Sequence, residues 1–492
     1  MRPYIRLLSD DLIDRIIDEA IAILCQVGVT IENQSLLDFL AAHSLSIDPS
    51  KSKVFFNRQV IETAIKATPS SFKLYDRTGA MTHHFADKNV HFTPGSSALY
   101  FLDPDTARTR KPTTVDYINY TKVIQQLESI AAQSTAFIPS DVSEKISDSY
   151  RLFLSLLFCT KPVVTGAFTI ESFDVMKNFQ LAVRGSETAL KDKPLTIFSC
   201  CPTSPLKWSK ATSQNLVDCA INSIPVEIIA MPLAGFIAPV TLTGTLIQHT
   251  AETLSGIVIA QLTNPGTPLL YGGSPAIFDV RHQTTPMGAI ETMMIDCAYH
   301  EIGNHLGLPT QAYIGLSDAK MVDTQAGIES GMGALMGGLA GINSISGPGM
   351  MDFENCFSLA KLVIDHEICR MVYRLLEGIS PKEDFSSIPI MHELTDAQQL
   401  LTSEHTVRYL RSEHLFPNQI ITRSNRARWE ADGCKPTVKL ADSRVVSLIN
   451  KYNSSLPAKD TYTELFKIMQ TEASRYGQNT LPISLNTLEK LI

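Results

Sequence analysis

The residues best suited to chemistry are aromatic rings that lie close to the ends of short apolar segments. The rings predicted to bind a ligand are Tyr100, Tyr271, Phe353 and Phe357. Phe353 and Phe357 are four residues apart at the predicted start of a helix, so they would share one helical face. Rings gathered in this way could enclose an organic cation by cation–π attraction, although each ring alone is more often part of a core.

Charged residues near these rings suggest how such a cation would be held. Asp318 and Asp323 lie in the most polar of the loops and would attract a cation, but Asp323 could equally cap a helix. If the cation also carries a carboxylate, Arg281 or His282 is the predicted partner. Arg281 could instead pair with Glu291.

Metal coordination is not predicted. The chain has no CxxC or HExxH motif, and Cys200 and Cys201 are adjacent on a strand end, so their side chains point to opposite faces. His300 and His305 are five residues apart on a helix and do not share a face well. We therefore expect no metal ligands.

Two other kinds of site have candidate residues: a phosphate site and a Schiff-base lysine. The turn of residues 346–349 follows the last predicted strand, where α/β barrels often bind a phosphate. Lys320 is the one lysine placed to form a Schiff base, although a surface role also explains it. No P-loop is present, and the glycines of residues 331–338 lie inside a helical stretch instead of a strand-to-helix turn.

Eight short apolar segments, each followed by a helical pattern, are predicted to position these residues. This alternation is typical of parallel βα units and predicts an α/β fold, a (βα)₈ TIM barrel. The predicted strands are Val90 to Thr93, Ser134 to Ile138, Pro162 to Phe168, Leu195 to Cys200, Val226 to Met231, Pro268 to Tyr271, Thr310 to Ile314 and Ile342 to Ile345.

Nearly every predicted strand runs into a cluster of Gly, Pro and Ser, such as residues 94–97, 202–205, 272–275 and 346–349. In a barrel these clusters would meet at the carboxyl ends of the strands, where the active sites of this fold lie. We predict three regions: an N-terminal helical region (1–88), the barrel as catalytic core (89–380) and a C-terminal helical extension (381–492).

Composition limits the class of protein. The 492 residues are 44% hydrophobic and 19% charged, with a net charge of −8, which disfavours a nucleic-acid partner. No apolar run is long enough to predict a membrane span, and the N-terminus lacks a signal-peptide pattern. Nine cysteines without framework spacing indicate reduced thiols, so we expect a cytoplasmic protein.

Several short motifs, in order along almost the whole chain, carry a resemblance to a known family. The most specific are Asp279-Val280-Arg281, residues 288–291, Ser317-Asp318-Ala319-Lys320 with residues 323–327, and Gly341-Ile342-Asn343. The chain resembles the trimethylamine methyltransferase superfamily, in the branch that lacks pyrrolysine and includes the glycine betaine methyltransferases.

The resemblance implies a barrel whose mouth binds a methylated amine and a small two-domain corrinoid protein that docks there. The corrinoid, or cobalamin, of that partner would accept the methyl group, and no tightly bound cofactor is expected. By its place near the end of the last predicted strand, the pyrrolysine of the trimethylamine enzymes corresponds to Gly347 or Pro348. This chain has only standard residues. A quaternary amine needs no such residue, because its leaving group is already a neutral tertiary amine.

These considerations predict a methyltransferase that moves a methyl group from a quaternary amine, such as glycine betaine, to Co(I). We also expect a homo-oligomer. Three alternatives remain open: a trimethylamine-type methyltransferase, a barrel lyase or isomerase that acts on an anionic metabolite, and a betaine-binding subunit without turnover.

Overall fold

The computed structural model of the chain describes residues 2–489. Its N-terminal part contains the three predicted helices, α1 (Asp10–Gln26), α2 (Gln34–Ala42) and α3 (Arg58–Ala67). It also contains strands that the helical prediction did not include: β1 (Val29–Ile31), β2 (Ser46–Asp48), β3 (Lys53–Phe55), β4 (Phe72–Tyr75) and β5 (Met81–Phe85). Segments this short show too little of the two-residue alternation to be recognised in a sequence.

Strands and helices alternate through the central part of the chain, as predicted. The strands are β6 (His91–Thr93), β7 (Tyr100–Leu102), β8 (Thr109–Arg110), β9 (Gln133–Ser134), β10 (Val163–Thr165), β11 (Thr196–Cys200), β12 (Lys207–Trp208), β13 (Val226–Ala230), β14 (Leu233–Ala234), β15 (Leu269–Gly273), β16 (Ala276–Ile277), β17 (Gln311–Ala312), β18 (Ser344–Ser346), β19 (Met350–Met351) and β20 (Cys356–Phe357). The helices are α4 (Thr114–Ile124), α5 (Ser147–Phe158), α6 (Ile170–Arg184), α7 (Glu187–Asp192), α8 (Lys210–Ile221), α9 (Leu242–Thr263), α10 (Ile290–His305), α11 (Thr324–Ala340) and α12 (Leu359–Glu377), with one 3₁₀ turn at Glu144–Ile146.

The eight predicted strands correspond to β6, β9, β10, β11, β13, β15, β17 and β18, which we call the central strands. They form two parallel sheets, in the orders β15-β13-β11-β10-β9 and β17-β18-β6. Two isolated parallel bridges join residues at the ends of these sheets, Tyr271 with Thr310 and Ala98 with Phe137. The prediction of an α/β fold with parallel strands is confirmed.

Each central strand has one face toward the helices and an opposite face, which we call the inner face. At the amino ends of the strands this inner face packs against the β4–β5 hairpin, through a small apolar cluster of Phe72, Leu74, Phe85, Val164, Ile197 and Leu270. Because side chains alternate along a strand, residues that pair with these positions share the inner face. Ser199 is opposite Glu227, and Glu227 is opposite Leu270, so both polar residues lie on the inner face.

Loops at the carboxyl ends of the central strands form a second layer of structure. Strands β19, β20, β7 and β8 make a four-stranded sheet there. Phe353 lies in the turn between β19 and β20, and Phe357 lies in β20, so the prediction that both begin a helix is wrong. The helix begins later, at Leu359, because the Ser358 side chain caps it by accepting from the amide of Lys361.

The C-terminal part is helical, as predicted, but its elements differ in detail. They are α13 (Ile388–Ala397), α14 (Glu404–Glu413), α15 (Arg426–Ala431), α16 (Thr437–Lys451), α17 (Lys459–Arg475) and α18 (Leu485–Glu489). Helices α13 and α14 are separate, because Gln398 adopts a left-handed conformation and Ser403 caps a new helix. Helix α16 packs on α12, and α17 packs on α6.

Candidate active site

A buried glutamate lies on the inner face near the middle of the molecule. Glu227 is the second residue of β13 and is fully buried. The Ser199 hydroxyl donates to its Oε1 at 2.6 Å, whereas its Oε2 is buried without a hydrogen-bond partner. Burial raises the pKa of Glu227 to about 7, and the Ser199 hydrogen bond opposes that rise. Near neutral pH this carboxyl is therefore poised between its neutral and charged forms.

A second glutamate comes from the turn between β19 and β20. Glu354 is partly exposed as a residue, but its Oε1 is buried and has no hydrogen-bond partner. Burial, followed by the charge of Asp318, raises the pKa of Glu354 to about 8. The turn has three consecutive positive φ angles, of 52°, 56° and 65° at Asp352, Phe353 and Glu354. Residues other than glycine rarely adopt such angles. Such backbone conformations often occur at functional sites.

Asp296, on α10, is a third buried acid. Neither of its carboxylate oxygens has a hydrogen-bond partner within the usual limits. Burial and then the charge of Glu354 raise the pKa of Asp296 well above its ordinary value. The pKa of Tyr313 is raised by burial and then by the charges of Glu227 and Glu354, so this tyrosine lies near both glutamates. Its hydroxyl is 2.7 Å from Ser96 Oγ.

We refer to Glu227, Asp296 and Glu354 as the acidic cluster. In the described part of the chain, residues 2–489, none of the three is in an ion pair, and no set of three or more His, Cys, Asp or Glu side chains is close enough to hold a metal ion. The charge of Glu354 acts on Asp296, whereas the pKa of Glu227 is shifted mainly by burial. Unpaired buried carboxyls that do not form a metal site suit a bulky organic cation.

Asp318, which the sequence placed at the site, lies beside this cluster. Its carboxylate accepts from the amides of Met287 and Gly288 at 3.0 and 2.7 Å. Burial raises the pKa of Asp318 to about 6; the Gly288 hydrogen bond opposes this, and the charge of Glu329 adds to it. Because both oxygens bind backbone amides, this side chain also fixes the loop before α10.

Asp318 also lines an open cavity of about 650 Å³ at the carboxyl ends of β15 and β17. The predicted residues Arg281, His282 and Phe353 line the same cavity. Arg281 is exposed and pairs with Asp279, with its Nε 3.0 Å from Oδ1, so it does not pair with Glu291. His282 is exposed as well. Their role in binding a carboxylate stays a prediction.

The four predicted rings are not brought together. Tyr271 lies in the core on the helix side of β15, where its hydroxyl donates to Thr250 Oγ1 at 2.9 Å. Phe357 is also buried, with its ring centroid 5.4 Å from that of Tyr120. Tyr100 and Phe353 are partly exposed, but each already has a lysine over its ring: Lys111 Nζ is 4.4 Å from the Tyr100 centroid, and Lys320 Nζ is 3.6 Å from that of Phe353.

Gly347 and Pro348 are buried in the loop after β18. A Cβ added at Gly347 would lie 2.3 Å from the carbonyl oxygen of Ile314, so this backbone excludes any side chain at position 347. The next glycine, Gly349, donates its amide to Asp365 Oδ2 at 2.7 Å, and Asp365 in turn is 2.6 Å from Lys361 Nζ. A buried ion pair therefore anchors this loop.

Sequence reasoning missed all three members of the acidic cluster. Glu227 did carry a signal, because it is the one charged residue in the otherwise apolar run Val226-Glu227-Ile228-Ile229-Ala230. A charge within a buried strand is costly, so it usually has a function or a partner. Asp296 and Glu354 gave no comparable signal, because their neighbours are mixed and only the fold brings them to the site.

Parallel strands with a cavity lined by acidic residues at their carboxyl ends are typical of an α/β enzyme. Comparison with known proteins agrees. The family model for trimethylamine methyltransferase (MTTB) matches residues 1–474, so the chain belongs to this methyltransferase family, and the resemblance seen in the sequence is confirmed.

Two relatives illustrate the range of the family. The trimethylamine methyltransferase MttB of Desulfitobacterium hafniense (strain DSM 10664 / DCB-2) is 28% identical over 470 residues, covering 95% of this chain and 94% of its own. A glycine betaine methyltransferase of Desulfitobacterium hafniense (strain Y51) is 26% identical over 430 residues, covering 87% and 88%.

Among solved structures, the monomethylamine methyltransferase (MtmB) of Methanosarcina barkeri is similar, with a TM-score of 0.52 and 11% identity over 96% of this chain and 88% of that one. At this identity the likeness concerns the fold alone. No helix within residues 2–489 has both the length and the apolar character needed to cross a membrane.

Proposed function

We propose that the chain transfers a methyl group from a quaternary amine to the Co(I) corrinoid of a partner protein. The observation that carries this proposal is the acidic cluster: Glu227, Asp296 and Glu354 are buried acids with unpartnered oxygens and no ion pair. A permanent organic cation would supply the missing charge partner. Membership in a methyltransferase family supports methyl transfer as the reaction.

We further propose that the central strands close into a (βα)₈ barrel. The two isolated bridges support closure, because they link β15 to β17 and the segment after β6 to the segment after β9. Backbone hydrogen bonds at the same joins support it as well: Tyr271 donates to Pro309, Tyr313 to Gly273, and Ala131 to Phe92. In a barrel Glu354 would lie toward the mouth, where a methyl acceptor could approach, and Glu227 would lie deeper inside.

In the proposed reaction Co(I) is the nucleophile that accepts the methyl group. The bond between nitrogen and the methyl carbon breaks, its electron pair stays on nitrogen, and a neutral tertiary amine leaves. The protein therefore has to hold the cation in line and exclude water. No protein group has to protonate the leaving nitrogen.

The raised pKa values of Glu227 and Glu354 suit this loss of charge. A permanently charged wall would stabilise the cationic substrate more than the transition state, in which the positive charge on nitrogen is disappearing. Carboxyls with a pKa near 7 or 8 release their proton to solvent as the cation binds and take one up from solvent after the neutral amine has left. Each acid thus matches the charge of the substrate through the reaction.

A second candidate, transfer from trimethylamine, is favoured by the same raised pKa values. A neutral Glu227 or Glu354 holds a proton near pH 7 that could be given to a departing dimethylamine. The two candidates differ in pH dependence, because only trimethylamine requires the protonated acid.

The experiment incubates the full chain with reduced cobalamin and, in turn, glycine betaine, proline betaine, carnitine, butyrobetaine, choline and trimethylamine. Formation of methylcobalamin is followed by absorbance. We expect turnover with at least one quaternary amine. Turnover with trimethylamine alone would favour the second candidate. Binding without transfer, measured by calorimetry, would indicate a subunit that has lost catalysis. No binding and no transfer would overturn the proposal.

A further inference from the structure

Two buried hydrogen-bond groups on the inner face have no partner and do not belong to the acidic cluster. Gln311 Nε2, in β17, and Ser346 Oγ, at the end of β18, are both buried and unpaired. Every amide N–H and hydroxyl that is buried without a partner costs free energy. Two such donors on adjacent strands therefore indicate a ligand that carries hydrogen-bond acceptors.

Their position follows from the register of the strands. The bridge between Tyr271 and Thr310 places Gln311 beside Gly272, which shares the inner face with Leu270. Gln311 is opposite Ser344, and Ser346 is the next residue of β18 on that face, about 6.7 Å farther toward the carboxyl end. Both donors thus lie on the same face as Glu227.

The orientation of the Gln311 amide is fixed by its neighbours. Its Oε1 accepts from the amide of Gly273 at 3.1 Å, so the group left without a partner is the NH₂, which can only donate. Gly272 makes room for this arrangement, because a Cβ at Gly272 would lie 2.6 Å from Gln311 Oε1. The two strands therefore hold an unpaired donor on the inner face at this point.

Resting on the proposed function, we propose that Gln311 Nε2 and Ser346 Oγ bind the carboxylate of a zwitterionic methyl donor whose quaternary nitrogen lies at the acidic cluster. Donors are supplied by β17 and β18, and acids by β13, α10 and the β19–β20 turn. A zwitterion satisfies both sets at once. A simple methylamine or choline has no carboxylate and leaves both donors unpaired.

Arg151 is another buried donor with an unpartnered atom, its Nη2. It lies on the helix side, where Nη1 donates to the carbonyl of Thr135 at 2.8 Å and to Ser97 Oγ at 3.1 Å. Burial raises the pKa of Tyr117, a residue of α4, and the Ser155 hydrogen bond and then the charge of Arg151 oppose that rise. Arg151 therefore faces away from the acids of the inner face, and we assign the carboxylate to Gln311 and Ser346.

The test compares a carboxylated donor, glycine betaine or γ-butyrobetaine, with choline in wild type, Ser346→Ala and Gln311→Glu. Glutamate at 311 keeps an acceptor for the Gly273 amide but replaces the donor with a carboxyl. Losing a hydrogen bond to a charged group lowers kcat/KM roughly tenfold to a hundredfold. We expect this loss for the carboxylated donor and less than a threefold change for choline.

A purely structural role would lower kcat/KM for both donors equally, and that result would overturn the assignment. The assignment would also be overturned if Ser346→Ala and Gln311→Glu left the ratio of kcat/KM for the two donors unchanged while Arg151→Gln lowered kcat/KM for the carboxylated donor alone. The Arg151 guanidinium would then be the partner of the carboxylate. Failure of the proposed function looks different, since the wild-type chain would then transfer no methyl group from any quaternary amine. For a wild type that turns over choline only, the zwitterion assignment fails while the reaction stands.

Discussion

The Ser199 hydroxyl donates to Oε1 of Glu227 at 2.6 Å and leaves Oε2 of the same carboxyl buried with no partner. A serine on β11 therefore orients an acid on β13 while one oxygen stays available to a ligand. The two neighbouring strands hold this hydrogen bond in place, since Ser199 and Glu227 are opposite each other in register. This half-satisfied carboxyl is the most direct sign of a cation site in the chain.

Replacing Glu227 by glutamine tests that role. Glu227→Gln keeps the shape and the Ser199 contact but removes the charge. We expect KM for a quaternary amine to rise by about tenfold to a hundredfold, because the variant loses a charged contact to the cationic substrate. Methylcobalamin formation measures it. Glu472→Gln is the control, because Glu472 is also buried but pairs with Arg475 in α17, far from the inner face; an equal rise in KM in both variants would contradict the role.

The affinity for a quaternary amine should increase with pH. Because burial raises the pKa of Glu227 to about 7 and that of Glu354 to about 8, both acids gain charge between pH 6 and 9. We expect Kd for the amine, measured by calorimetry, to fall across this range in wild type. The slope should shrink in Glu227→Gln and again in the double variant with Glu354→Gln. A flat profile in wild type would show that these acids do not face the substrate.

Stability should show the opposite trend with pH. The pKa of Glu227 is raised from 4.5 to about 7 in the folded chain, so from pH 4.5 upward the unfolded chain ionises first and stability declines until about pH 7. The corresponding loss is about 3 kcal/mol. Glu227→Gln should therefore raise Tm at pH 8 while leaving it nearly unchanged at pH 4.5. A lower Tm at both values would mean that the carboxyl stabilises the fold.

The sequence located the strand ends correctly because strand and turn residues alternate locally, and local patterns are visible in a chain. It did not find the buried acids that we propose bind the cation, because burial and partners depend on distant segments. Tyr271 looked as available as any ring beside a Gly-Gly turn, yet alternation turns it toward the helices. Glu354 comes from a turn of three left-handed residues that no propensity predicts.

Tyr271→Phe tests the cation box predicted from the sequence. The hydroxyl of Tyr271 donates to Thr250 Oγ1 inside the core, and the ring faces the helices. We expect the variant to lose about 1 kcal/mol of stability in urea unfolding while KM for a quaternary amine changes less than twofold. The control is Phe278→Tyr, which changes a ring outside the core. Phe278 is partly exposed and stacks on Phe236. A large rise in KM with normal stability would restore Tyr271 to the site.

The loop after β18 should not accept a side chain at Gly347. In Gly347→Ala the new Cβ would meet the Ile314 carbonyl oxygen at 2.3 Å, so backbone has to move. We expect a stability loss of about 2 kcal/mol, in the range for overpacked sites, and reduced methyl transfer. Gly327→Ala is the matched control, since nothing lies within 4 Å of its Cβ on α11 and alanine favours a helix. If Gly347→Ala melts like wild type, the loop is looser than the structure indicates.

Self-association, expected from the sequence, should use the segment after α12. Helices α13, α14 and α15 contain no buried residue, although helices this short gain most of their stability from packing. Ile379, Phe385 and Leu401 in this segment are 92%, 90% and 79% exposed. Because α12 follows the loop at the carboxyl end of β18 and runs back along the strands, this surface begins near their amino ends, away from the carboxyl ends where a methyl acceptor would approach. A second copy of the chain can therefore cover it without blocking a methyl acceptor.

Light scattering of the full chain should give a mass above that of one subunit. Phe385→Ser with Leu401→Ser should lower that mass while methyl transfer per subunit is kept. Val240→Ser, which changes a residue 74% exposed in the loop region after β13, should leave the mass unaltered. A wild-type monomer would mean that the segment folds back or binds another protein. A loss of mass in the control would place the interface at the carboxyl ends instead, where it would compete with the acceptor for the same surface.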